Sequence, residues 1–212
     1  CNYYFGIIAR IFIHSKIKTY NTMDGLSYLK ELSKNNDATN TDFSKFKNVF
    51  DKLNNKKDKI NISQKLLVER FSGKKQDSVF RRNFSSYKKN KYKLKKKIDG
   101  VLFLHDFFDT PNHMKNMIFS DFFEWANYTL SIISDYNLNI AVKPHPGGIW
   151  NNKKVFEYFK NKYKKIYWLN SNISNNEIIN KIKFGISCYG SVLFELPYKN
   201  KVAIAGTPYH PC

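Results

Sequence analysis

Apolar positions in the first hundred residues recur at intervals of three and four. Leu26, Leu29 and Leu32 have that spacing behind Asp24, a good N-cap residue, which predicts a helix over 24–34. Thr41 and Asp42 precede Phe43, Phe46, Val49, Phe50 and Leu53, a second helical pattern. Ile62, Leu66, Leu67 and Phe71 give a third, over 61–71. Residues 3–13 are apolar but few, and Arg10 interrupts them, so they read as a core segment or an interfacial helix rather than a membrane span. No small-residue cleavage site follows them, as a signal peptide would require. Residues 73–97 are rich in Ser, Lys and Asn and read as a linker or exposed arm.

The pattern changes at Gly100. Short apolar runs at 101–105, 139–142, 166–169, 184–187 and 202–205 predict strands. Between them lie helical stretches at 117–134, 155–163, 175–181 and 191–196. Strands that are apolar throughout and alternate with helices belong to a parallel sheet covered on both faces. The expected fold is therefore α/β, a Rossmann-like doubly wound sheet of about five strands. It divides the chain into a helical, basic region with a linker (1–97) and an α/β domain (98–212). The first residue is Cys1, and the chain stops at Pro211-Cys212 straight after Gly206-Thr207-Pro208. It reads as a piece of a longer protein, truncated near the end of the domain.

With 212 residues, 42% hydrophobic and 17% aromatic, the chain can bury a core, although its mean hydropathy is -0.53. The formal net charge is +19, unevenly spread. Residues 1–99 hold 24 Lys/Arg against 9 Asp/Glu, an excess of +15; residues 100–212 hold 12 against 8, or +4. Such an excess favours an anionic surface as partner: membrane lipid, nucleic acid or a polyanionic polymer. Only 4 of the 36 basic residues are Arg, which speaks against nucleic acid, where Arg forks read phosphates and bases. The same bias, with 25 Asn, also fits A/T-rich codons without any partner. Three cysteines with no CxxC pair indicate neither a disulfide framework nor a zinc site, and a cytoplasmic setting fits them. No carboxylate or histidine pattern calls for a metal, and no glycine-rich phosphate loop of the GxxxxGK[ST] or GxGxxG type occurs.

In a doubly wound sheet, ligands bind beyond the carboxyl ends of the strands. Three loops fall there. The first holds His105, Asp106, Asp109 and His113, groups suited to acid/base work or to contact with sugar hydroxyls. It also reads as a plain turn and N-cap, since Asp109-Thr110-Pro111 is good turn chemistry. The second is Lys143-Pro144-His145-Pro146, in which two prolines fix the backbone around an imidazole and Gly147-Gly148 follow. The third, Ser187-Cys188-Tyr189-Gly190-Ser191, enters a helix, where free amides suit a phosphate. Glu195 lies one turn further along and could accept from ribose hydroxyls; an ordinary capped helix with Glu195 paired to a lysine is the alternative.

These segments, in order, resemble bacterial capsule and surface-polysaccharide biosynthesis proteins. The resemblance runs over 98–210 and rests on Val101-Leu-Phe-Leu-His105, Asp109-Thr-Pro111, Ile118-Phe-Ser-Asp-Phe-Phe-Glu-Trp125, Lys143-Pro-His-Pro146 and Ser191-Val-Leu-Phe-Glu195. The group includes capsular Kdo-transferases and, more distantly, polysialyltransferases and teichoic-acid glycerophosphotransferases. It implies half of a GT-B fold and a metal-independent glycosyltransferase at the inner face of the cell membrane. The implied partners are a nucleotide-sugar donor, a CMP-sugar by preference, and a polysaccharide or glycolipid acceptor. No further cofactor is implied. Donor phosphate would be held by Lys143, His145, Ser187, Gly190 and Ser191, with Glu195 near the ribose. His145 and Asp109 would be catalytic, and His105, Asp106 and His113 would contact sugar or acceptor. A nucleotide-sugar epimerase and a non-catalytic polyanion-binding module are the alternatives.

Overall fold

The computed structural model describes residues 2–23, 28–32, 46–73, 86–88, 91–108, 118–145 and 152–207. Helix α1 (Asn2–His14) leads into an antiparallel hairpin of β1 (Thr19–Met23) and β2 (Tyr28–Leu32), with Thr19 opposite Leu32 and Met23 opposite Tyr28. This corrects the helix expected over 24–34. Threonines and tyrosines favour extended backbone, and the Asp24-Gly25 pair between the strands is strong turn chemistry. The leucine spacing was real, but it was outweighed. Helices α2 (Phe46–Asp51) and α3 (Lys56–Phe71) then follow; Thr41, Asp42 and Phe43 lie outside the described residues.

The second half contains β3 (Gly100–Phe103), α4 (Phe122–Asp135), β4 (Ile140–Lys143), α5 (Asn152–Lys162), α6 (Asn175–Ile179), β5 (Phe184–Ser187), α7 (Val192–Tyr198) and β6 (Val202–Ala205). All four strands are parallel, in the order β4-β3-β5-β6. Residues 166–169, expected as a strand, form a single parallel bridge, Trp168 beside Val142 on the free edge of β4. Val142 N–H donates to the Tyr167 carbonyl (2.9 Å) and Leu169 N–H to the Val142 carbonyl (2.8 Å). The next rung would need an N–H from Pro144, which has none, so the ladder stops. Counting Trp168, the segments lie in the spatial order third, second, first, fourth, fifth. This is the doubly wound, Rossmann-like arrangement.

Residues two apart point to the same face of the sheet. Val101, Phe103 and Ala141 face α6, α7 and the buried Ile178, Ile179, Leu193 and Leu196. Leu102, Ile140 and Val142 face α4 and α5, with Trp125, Leu130, Ile133 and Phe159. Burial of each of these large side chains stabilises the fold by about 1.5–3 kcal/mol before entropy is counted. Phe71, Tyr87, Leu94 and Ile98 complete the first face. The described part of 73–97 is therefore packed against the domain and is not a free arm. Its backbone is tied down as well: Asn175 N–H donates to the Ser86 carbonyl (2.7 Å), and Lys181 Nζ donates to the Leu94 carbonyl (3.1 Å). Among the described residues no helix is long and apolar enough to cross a membrane.

Candidate functional site

The strand registers align the carboxyl ends of the sheet. Phe103 lies opposite Lys143 on one side and Ser187 on the other, and Ser187 lies opposite Ala205. The chain reverses its direction of winding between β3 and β5, and doubly wound sheets hold their ligands at that reversal. His105 and Asp106 leave β3 there, His145 leaves β4, and residues 188–191 leave β5. Asp109, His113 and residues 146–148 lie outside the described residues.

The loop after β5 is fixed by Ser187, whose Oγ lies 3.0 Å from the carbonyls of both Phe103 and Tyr189. Gly190 follows with φ +131°, a conformation that side-chain-bearing residues rarely adopt, and a Cβ there would face open space. Cys188 is buried, and its thiol is pushed up to about 12 by that burial, so it stays protonated at neutral pH.

Lys143 and Glu195 are both buried, at 3% and 1% exposure. Lys143 shares the inward face of β4 with Ala141, and its Nζ donates to Asn175 Oδ1 at the start of α6. Burial lowers the Lys143 pKa to about 8 against the opposing pull of Glu195. On α7, Glu195 accepts from Arg70 Nε through one oxygen and from the Tyr87 hydroxyl through the other. Arg70 Nη2 also donates to Ser191 Oγ (2.7 Å), and the guanidinium lies 5.7 Å from the Tyr87 ring centroid. Burial, and then the Glu195 charge, hold the Tyr87 phenol well above its ordinary range. A connected polar network thus joins Arg70 and Tyr87 from the N-terminal half to Ser191, Glu195, Asn175 and Lys143. Sequence reasoning missed Arg70, Tyr87 and Asn175. Arg70 did carry a signal, as one of only four arginines in a lysine-rich chain.

The histidines form a second, more exposed group. The His105 ring sits 4.5 Å from Phe122 and 6.1 Å from the exposed His145, nearly parallel to it. Asp106 is buried and accepts from Phe108 N–H (3.0 Å), so it shapes the turn after β3. The structure therefore brings His105 to His145, and Ser191 to Glu195. No group of three or more His, Cys, Asp or Glu among the described residues is placed to hold a metal. A hollow of about 210 Å³ lined by Ile133, Asn137, Ile140, Lys165 and Tyr167 lies at the amino end of β4. That is the opposite end of the sheet from these groups, where doubly wound folds do not place their ligands.

No protein-family model matches the chain, and no curated protein matches it. Among solved structures, the chain is similar to E. coli heptosyltransferase WaaC with ADP-2-deoxy-2-fluoro heptose, at 12% identity and a TM-score of 0.39. The similarity covers 53% of this chain and 33% of that one, so the matched part is about a third of that protein's length.

Proposed function

We propose that the carboxyl edge of the sheet binds a nucleotide-sugar, and that the chain is the donor-binding part of a GT-B glycosyltransferase acting on a capsular or surface polysaccharide or a glycolipid. One observation supports this reading: His105, His145 and the Ser187–Ser191 loop all follow the carboxyl ends of the adjacent strands β3, β4 and β5, the edge at which doubly wound sheets hold ligands. Loss of the nucleotide places negative charge on phosphate oxygens. Donors fixed before the reaction stabilise that charge without reorganising. His145 and the loop from Ser187 to Ser191 would supply them. Lys143, buried behind the loop, would act through its charge rather than by touching the ligand. Asp109 would orient the acceptor or move its proton, and His105, Asp106 and His113 would contact the sugar. The excess of lysines in the first half would hold the protein at an anionic membrane surface.

Ligand-observed NMR with CMP, CDP, UDP and GDP tests the reading. The wild-type chain is expected to give a selective nucleotide signal, with cytidine nucleotides preferred. A folded His145→Ala/Ser191→Ala variant is expected to lose it. No binding by the folded wild type overturns the proposal.

A further inference from the structure

Arg70 stands apart from the other basic residues. Its guanidinium has five N–H donors. One goes to Glu195 and one to Ser191; among the described residues the other three have no partner. The side chain keeps 24% of its surface exposed, while the Glu195 that grips it is almost fully buried. Tyr87 closes the far side, with its ring beneath the guanidinium and its hydroxyl on the second Glu195 oxygen.

Replacing a buried ion pair by apolar groups of similar volume is often neutral or stabilising, so stability alone does not account for such an arrangement. What the arrangement does is fix the orientation of a planar cation that still has N–H groups to give. A fork held in this way is matched to phosphate oxygens, and little rotamer freedom is left to lose on binding. It sits next to Ser191, beside the open space at Gly190, where the loop after β5 turns. Both oxygens of Glu195 are engaged, so that carboxylate acts through Arg70 rather than on a ligand.

We propose that Arg70 is a phosphate-binding residue of this site, presented by Glu195 as its positioning residue, and that it takes the phosphoryl groups of a nucleotide. The inference rests on the donor-site reading above and gives Glu195 a positioning part in place of the ribose contact that the resemblance implies. The N-terminal half then contributes directly to the site through α3.

The test compares binding of CDP and UDP with binding of cytidine and uridine, in the wild type and in folded Arg70→Gln and Arg70→Lys variants. A charge-assisted pair lost on the phosphate side alone should weaken the nucleotides roughly tenfold to a hundredfold and leave the nucleosides unchanged. Arg70→Lys keeps the charge but loses the fork, and reads the same contrast if Arg70→Gln does not fold. Unchanged nucleotide affinity overturns the proposal. So does an equal loss for nucleotides and nucleosides, which would mark Arg70 as purely structural. Inorganic pyrophosphate is the third probe: it is expected to compete weakly, and competition as strong as that of CDP would overturn the assignment to a nucleotide. A wild type that binds none of the four overturns the donor-site reading itself. Wild-type binding that ignores Arg70 overturns this inference alone.

Discussion

Lys143 ends a strand, and its place in a period-two pattern decides where it points. It shares a face with Ala141, and that face looks into the core beneath α6 and α7. The sequence marks it as a charge near the proposed ligand; the pleat buries that charge instead. The consequence is measurable. The ordinary lysine pKa is 10.5, and burial brings Lys143 down to about 8. Between these values the unfolded chain holds a proton that the folded chain has released. Stability must therefore rise with pH across that window, and the cost of the buried charge is greatest below it. In urea unfolding, the wild type is expected to gain stability relative to Lys143→Met from pH 8 to 10.5. A constant difference between the two would mean that Lys143 does not titrate in the folded protein as its surroundings require. Glu195 was legible only as an acid one turn into a helix. Its partners lie 125 and 108 positions away in the chain, and no local pattern reaches that far.

At the scale of elements, the alternation of short apolar runs with helical stretches was readable: the strands expected at 101–105, 139–142, 184–187 and 202–205 are β3 to β6. The start of α4 was not: the helix expected from 117 begins at Phe122, behind Asp121-x-x-Glu124. Asp121 caps α4 by accepting from Glu124 N–H (2.7 Å), and Glu124 reaches back to Ser120 N–H (2.9 Å). The α4 stripe of Trp125, Ala126, Leu130 and Ile133 then packs on the sheet as its spacing requires. Asp121→Ala should cost about 1 kcal/mol in urea denaturation. It should leave nucleotide binding unaltered, because the Asp121 carboxylate only caps its own helix, and Phe122 stays packed on the His105 ring without it. A loss of nucleotide affinity in a folded Asp121→Ala chain would show that α4 shapes the site. The hairpin at β1 and β2 was misread because three leucines at helical spacing are a weak signal beside the β-favouring Thr19, Tyr20, Thr22 and Tyr28. The segment at 166–169 was overread because one proline on a neighbouring strand ends its pairing.

For the whole molecule, the two halves divide by composition but not by packing. Tyr87, Leu94 and Ile98 anchor the lysine-rich stretch to the sheet, so its charge is displayed on the surface of the fold. Deleting 88–97 would remove core side chains and confuse loss of charge with loss of structure. Neutralising only exposed lysines separates the two. Lys91, Lys93, Lys95 and Lys97 are all exposed. Lys93 lies 3.8 Å from Glu177, but that pair is open to solvent and worth little. Each lysine near an anionic membrane contributes about 1 kcal/mol, so replacing the four by glutamine should weaken binding to phosphatidylglycerol vesicles by up to about a thousandfold. The wild-type interaction should itself fade as salt shortens the screening length below about 10 Å. Nucleotide affinity should not change, because Arg70, Ser191 and Glu195 are left intact. If the glutamine variant binds vesicles as the wild type does, the +15 excess of the first half is not a membrane device. The lysines would then stand with the 25 asparagines as a mark of codon composition, and the donor site would be the part of this chain shaped for a ligand.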